Sequence, residues 1–141
     1  MLERQAKLLH TLIASLMREF RLEPGMLVGS PYAELHANDV ELFELLAPPD
    51  IWSVHAIARA LHAPISTVSS ALDRLEGRGL IRRVRIAADR RMVCIELTSP
   101  GNRLAGRLRE AHVRNCRAML ARLHADERKQ FLRLVAQVSE K

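Results

Sequence analysis

The run from Val54 to Leu97 constrains this chain most, because there the spacing of apolar residues changes from helical to alternating. Val54, Ile57, Ala58 and Leu61 recur at i, i+3, i+4 and i+7, which predicts a short helix with one buried face. Ser53 stands before it as a good N-cap. His62-Ala63-Pro64 predicts a turn, and a second helix follows with Ile65, Val68, Ala71, Leu72 and Leu75 facing inward. Gly77 and Gly79 mark its end. Residues 80–86 and 92–97 then read as two strands joined by Ala87-Ala88-Asp89-Arg90-Arg91. In the second strand Val93, Ile95 and Leu97 face inward, against Met92, Cys94 and Glu96.

Helix, turn, helix and hairpin in that order predict a winged helix-turn-helix, a lobe with two natural contact surfaces for DNA. On the second helix Ser66, Ser70, Asp73 and Arg74 lie opposite the apolar stripe, with Thr67 and Ser69 flanking. Small hydroxyl side chains allow close approach to a major groove, and Arg74 can reach a phosphate or the O6/N7 pair of a guanine. The hairpin carries Arg82, Arg83 and Arg85 on its first strand and Arg90 and Arg91 at its tip. Arginine suits a narrow minor groove, where the potential is most negative. Asp89 beside the tip arginines can fix a guanidinium's direction. Between residues 74 and 91 seven arginines stand against two acids, Glu76 and Asp89. A charged strand edge that blocks aggregation is the plainer alternative for such a hairpin.

Outside this lobe, residues from about 2 to 20 predict a helix with a stripe of Leu2, Leu9, Leu12, Ile13, Leu16, Met17 and Phe20. Residues 21–37, with two prolines and two glycines, read as a long connection. Asn38 is placed to cap a helix whose Val40, Leu42, Phe43, Leu45 and Leu46 are largely core, and Pro48-Pro49 stops it. Ile51-Trp52 reads as a small edge strand. Thr98-Ser99-Pro100 opens a long helix to about Leu123, with Pro100 at its first position. A last helix starts at Asp126-Glu127 and carries Phe131, Leu134, Val135 and Val138 on one face. The terminal helices hold more apolar stripe than one small domain needs, which predicts a two-fold homodimer.

Composition narrows the function classes. At 141 residues and 48% apolar content, the chain is one domain with a core that needs no disulfide or metal. A formal charge of +6 suits a polyanionic partner. Cys94 and Cys116 form no CxxC motif and are expected to be buried free thiols. No apolar run approaches a membrane span, and the stretch from Leu8 to Met17 lacks the cleavage site of a signal peptide, so a cytoplasmic protein is expected. His112 and Cys116 share a helix face at i, i+4, but two ligands do not close a metal site, and no metal or other cofactor is expected. GxSxG, GxGxxG and GxxxxGK[ST] are absent, so an enzyme is not expected.

The run STVSSALDRLEGRGLIRR, the wing DRR at residues 89–91, and the closing Leu97-Thr98-x-x-Gly101 resemble the MarR family of winged-helix transcriptional regulators. The resemblance covers nearly the whole chain in element order and is strongest from Ser53 to Gly101. It implies a mainly α fold with a small β-hairpin: one MarR-like domain over 1–141, with a winged helix-turn-helix lobe at 36–98 flanked by dimerisation helices at 1–35 and 99–141. It also implies a homodimer on double-stranded DNA with an inverted-repeat operator, and a repressor released by a small aromatic or acidic ligand. The DNA-binding residues so implied are Ser66, Thr67, Ser69, Ser70, Arg74, Arg82, Arg83, Arg85, Arg90 and Arg91, with Asp89 orienting the wing. Tyr32, His36, Trp52 and His55 are the polar-aromatic residues near the junction where family members bind ligands. Oxidant-sensing members use a cysteine close to the N-terminus, and the first helix here has none. The chain departs from the family at Pro64, a position often Ser, at Ser70, often Arg, and at Ile86-Ala87-Ala88, often acidic or proline. Those departures shift recognition from bases toward phosphates and shape. A winged-helix module that binds a protein partner, as an anti-repressor does, is the function of a different class.

Overall fold

The computed structural model describes residues 1–20, 35–86 and 89–140; the side chains of 37, 89 and 90 lie outside that set. The elements in chain order are α1 (Leu2–Glu19), α2 (Ala37–Leu46), α3 (Val54–Ala60), α4 (Ile65–Gly77), β1 (Ile81–Ile86), β2 (Asp89–Leu97), α5 (Ser99–Leu120) and α6 (Ala125–Ser139). Tyr32 and nearly all of the connection expected over 21–37 lie outside the described residues.

The chain divides into two compact units, Met1–Arg21 with Glu110–Lys141, and Leu22–Arg109. The second unit holds the core. Leu42 and Phe43 from α2, Ile57 from α3, Leu72 and Leu75 from α4, Leu80, Ile81 and Ile95 from the hairpin, and Leu104 and Leu108 from α5 are all at most 2% exposed. The residues from α2, α3, α4 and β2 were expected from their spacing, since each element turns its stripe toward the same centre, whereas Leu80, Ile81, Leu104 and Leu108 were not singled out. Ile65 is an exception: expected in the core, it is 45% exposed, because as the first residue of α4 it precedes the turn that packs.

The helix ends explain the local sequence. Ser53 Oγ accepts from the Ala56 N–H at 3.1 Å and starts α3. The expected cap of α2 at Asn38 is displaced: His36 is the N-cap, and its N–H donates to Asp39 Oδ2 at 3.1 Å. A carboxylate three residues into the helix serves the cap better than an amide at its second position. The last helix uses the same device, with the His124 N–H donating to Glu127 Oε2 at 2.7 Å.

Both helices of the helix-turn-helix end in the same backbone motif. After α3, the Ala63 N–H donates to the Ala58 carbonyl and the His62 N–H to that of Arg59, with His62 at φ +50°. After α4, the Leu80 N–H donates to Leu75 and the Gly79 N–H to Glu76, with Gly79 at φ +72°. This closure requires a left-handed residue, which costs glycine nothing and histidine about 1–2 kcal/mol.

The hairpin is antiparallel, pairing Ile81 with Leu97 through Arg85 with Val93, and its register shifts between Arg85 and Ile86. The second strand starts at Asp89, three residues before the expected Met92, and the register pairs Asp89 with Ile86. Cys94 is a buried free thiol at 9% exposure, as expected of it, although the alternation of the strand had placed it on the outward side. Trp52 forms the small edge contact expected there, a bridge in which the Ile95 N–H donates to the Trp52 carbonyl at 2.8 Å.

The start of α5 is locked onto the corner between α4 and β1. Thr98 Oγ1 donates to the Gly79 carbonyl at 2.6 Å and accepts from the Gly101 N–H at 3.2 Å. The Thr98 N–H donates to the Leu80 carbonyl at 3.1 Å. A Cβ built on Gly101 falls 2.0 Å from that same carbonyl oxygen. Gly79, Leu80, Thr98 and Gly101, quoted above as motif positions, thus form one contact. Pro100 is the second helical residue of α5, not the first, because Thr98 holds the cap.

In the first unit α1 and α6 have no buried residue. Leu9, Leu12 and Ile13 of α1 are 46–56% exposed, and Leu134 and Val135 of α6 are 44% and 47% exposed. Glu19 pairs with Arg122, whose guanidinium also sits 5.0 Å from the Phe20 ring centre, and Asn115 Nδ2 donates to the Phe20 carbonyl at 2.9 Å. Hydrogen bonding from Arg122 holds the Glu19 carboxyl below the usual carboxylate range. Cys116, expected to be buried, is exposed, since no described residue of this unit covers that face of α5.

Candidate nucleic-acid interface

Four small residues line the outer face of α4: Ser66, Thr67 and Ser70 are exposed and Ser69 is half-buried. Val68, Ala71, Leu72 and Leu75 anchor the opposite face, so the serine face is held by a rigid core rather than by its own contacts. Pro64 takes the N-cap position without a side-chain acceptor, and its carbonyl accepts from the Val68 N–H at 3.1 Å. The exposed N–H groups of the first turn are thereby left without a side-chain cap, in the manner that suits a phosphate oxygen.

Three of the lobe's arginines meet carboxylates. Arg83 is spent on α4: Nη1 donates to Glu76 Oε1 and Nη2 to Asp73 Oδ1, each at 2.8 Å, and its side chain is only 27% exposed. This double ion pair joins the first strand of the hairpin to the outer side of α4, so helix and wing are one body. Arg82 pairs with Glu96, its cross-strand neighbour in the register. Arg74 Nη2 donates to Asp39 Oδ1 at 3.2 Å. Asp39 is 2% exposed and also accepts the His36 N–H, so a buried carboxylate ties the start of α2 to α4. Arg85 and Arg91 are exposed and do have interaction partners. Arg90 lies in β2 next to Asp89, and the side chains of both fall outside the described set.

Sequence reasoning missed Asp39, Asp73 and Glu76 as the partners of these arginines. The spacing from Asp73 to Glu76 puts both on one helix face and was a usable signal. Asp39 lies 35 residues from Arg74, and no local pattern marks that pairing.

The residues expected near a ligand junction occupy different settings. His36 is exposed at the start of α2. Trp52 packs partly buried against the core, and its buried Nε1 has no hydrogen-bond partner among the described residues. His55 is exposed on α3. Among the described residues no group of three or more His, Cys, Asp or Glu side chains could hold a metal ion, and no helix is long and apolar enough to cross a membrane.

Comparison with known proteins agrees with this geometry. Residues 48–93 match the model of the MarR family. The HTH-type transcriptional regulator PecS of Dickeya dadantii (strain 3937) is 40% identical over 110 residues, covering 76% of this chain and 66% of PecS. The uncharacterized HTH-type transcriptional regulator YwhA of Bacillus subtilis (strain 168) is 36% identical over 107 residues, covering 74% of this chain and 77% of YwhA. The solved structure of the transcriptional repressor CouR bound to a 23-mer DNA duplex superimposes with a TM-score of 0.72, at 25% identity, over 94% of this chain and 89% of that one.

Proposed function

The chain belongs to the MarR family, and from that premise we propose that it is a homodimeric DNA-binding transcriptional regulator, a repressor released by a small ligand. It is a regulator and not an enzyme. The observation that carries the reading is the Arg83 clamp, which makes the serine face of α4 and the arginine hairpin one rigid unit. Helix α4 enters a major groove, where Ser66, Thr67, Ser69 and Ser70 meet base edges and phosphates at close range. Arg85, Arg90 and Arg91 carry the wing to the flanking backbone and minor groove, with Asp89 directing its neighbours. Arg74, Arg82 and Arg83 act chiefly by holding these parts in register, since their guanidinium groups already meet carboxylates. The description of CouR as a repressor on duplex DNA favours repression.

The apolar faces of α1 and α6, left exposed among the described residues, support dimerisation through the terminal helices, with 36–98 as the DNA-binding lobe. A two-fold dimer reads an inverted repeat with half-sites about one helical turn, roughly 34 Å, apart. Tyr32, His36, Trp52 and His55 are the proposed sensing residues, and the Trp52 N–H, without a partner among the described residues, is a group that a ligand acceptor would satisfy. On this reading the protein works in the cytoplasm, with the DNA it binds.

Selection of bound duplexes from a random pool tests the whole reading. An enriched inverted repeat is expected, with sedimentation showing a dimer. Replacing Arg90 and Arg91 with Ala should weaken binding while the fold is kept. Enrichment of no motif would favour the protein-binding module instead.

A further inference from the structure

The lobe that carries the proposed reading face is close to electroneutral. The unit Leu22–Arg109 holds eleven Lys and Arg residues against ten Asp and Glu, whereas the unit of the terminal helices holds eleven against six. Most of the formal charge of +6 therefore belongs to the terminal helices. Around α4 the balance is made by specific pairs: Asp73 and Glu76 occupy Arg83, and Asp39 occupies Arg74. The last pair is asymmetric. Asp39 is the one buried polar or charged residue among those described, at 2% exposure, while the side chain of Arg74 is 45% exposed.

We propose that Asp39 is a positioning residue that withholds Arg74 from the DNA backbone and so restrains the sequence-independent part of the affinity. The inference rests on the DNA-binding reading above and goes beyond it, since Asp39 itself touches no DNA. Three observations carry it. Ser66, Ser70 and Arg74 stand at i, i+4 and i+8 on the outward side of α4, so a released guanidinium projects from the same face as the hydroxyls. The carboxylate is pinned at both oxygens, Oδ2 by the His36 N–H at 3.1 Å and Oδ1 by Arg74 Nη2 at 3.2 Å, so it does not follow the arginine outward. Its burial also shields the pair from salt, whereas the Arg82–Glu96 pair, exposed on both sides, is screened.

A phosphate contact draws its free energy from counterion release, which every duplex offers alike. An arginine free to meet phosphate therefore tightens binding to all sequences without distinguishing them. A guanidinium already neutralised by a buried carboxylate has little charge left to displace a counterion. Removing the charge of Asp39 returns one cation per lobe to the duplex.

The effect is independent of sequence, so a fluorescent duplex of mixed sequence is the probe, with binding read by anisotropy across a salt series. Asp39→Asn removes the charge and keeps an oxygen for the His36 N–H. Asp39→Gln, the uncharged residue that a capping box takes at this position, is the second variant, and circular dichroism checks the fold of both. In each, the slope of log K against log salt should steepen by about 0.9 for every lobe engaged, the value per phosphate. Carried over the decade from 1 M to 0.1 M salt, that is a gain of about eightfold per lobe. Adding Arg74→Gln to Asp39→Asn should bring the slope back to that of the wild type. Glu41→Gln changes the net charge equally from an exposed position on the same helix and should leave the slope unchanged. A role of Asp39 in folding alone predicts weaker binding with no steeper slope. That result in both Asp39 variants, a steeper slope that survives in the double variant, or an equal effect of Glu41→Gln overturns the proposal while DNA binding stands. Failure of the wild type to bind duplex at any salt would overturn the function reading itself, and this inference with it.

Discussion

Gly101 and Gly106 lie five residues apart on α5, yet replacing each with Ala should move stability in opposite directions. At Gly101 the new Cβ falls 2.0 Å from the Leu80 carbonyl oxygen and 3.0 Å from its carbon. Ordinary contact begins near 3.4 Å, so the start of α5 must retreat by about 1.4 Å from backbone that cannot rotate away. Such a retreat would stretch the Thr98 N–H bond to Leu80, now 3.1 Å, beyond hydrogen-bonding reach and strain the Thr98 hydroxyl bond to Gly79. Overpacking costs about 1–3 kcal/mol and each lost hydrogen bond about 1 kcal/mol. Helix propensity returns less than about 1 kcal/mol, since Gly101 sits in the first turn. The net loss is about 3 kcal/mol, a large part of the roughly 5–15 kcal/mol that holds a domain folded. At Gly106 nothing lies within 4 Å of the added Cβ, so Ala there gains about 0.5–1 kcal/mol of backbone entropy. Urea unfolding followed by circular dichroism, at one fixed protomer concentration, measures both. The melting midpoint of Gly101→Ala should fall by roughly 10 °C. Equal effects at the two sites, or a Gly101→Ala loss under about 0.5 kcal/mol, would refute the idea that Thr98 and Gly101 seat α5 on the α4–β1 corner.

The two left-handed caps make a second pair with opposite signs. Gly79→Ala should destabilise by about 1 kcal/mol and His62→Gly should stabilise by up to about 1 kcal/mol, because only glycine adopts that backbone without strain; denaturant midpoints report both. For Glu19, whose carboxyl is held below its ordinary value by Arg122, the contribution to stability is present above the unfolded pKa and is lost as pH falls through the lower folded one. The stability difference between wild type and Glu19→Gln should therefore be seen at pH 7 and vanish in strong acid, and it should be small because the pair is exposed.

Much of the lobe was legible before any coordinates. The i, i+3, i+4 spacing of Val54, Ile57, Ala58 and Leu61 gives a helical face, and Ser53 and Gly79 are residues whose chemistry marks helix ends. The Arg-rich hairpin and the serine face were readable as surfaces because neither has a core explanation. What failed had a common cause. Asn38 lost the cap to His36 and Asp39 because the carboxylate also receives Arg74 from a helix far along the chain. Ile65 and Cys116 look apolar in sequence, but whether a neighbour covers them depends on packing around the helix, not on their own type. The arginines could be counted, yet which of them are already occupied could not.

Local chemistry alone determined which segments are helix and strand, since backbone preference and the period of apolar residues act within a few residues of one another. Only folding decided the long-range pairings: Arg83 on Asp73 and Glu76, Arg74 on Asp39, and Gly101 beneath Leu80. These depend on distances of a few ångströms between residues 7 to 35 positions apart, and no period in the chain encodes such distances. They set which cations on this face hold the wing to its helix.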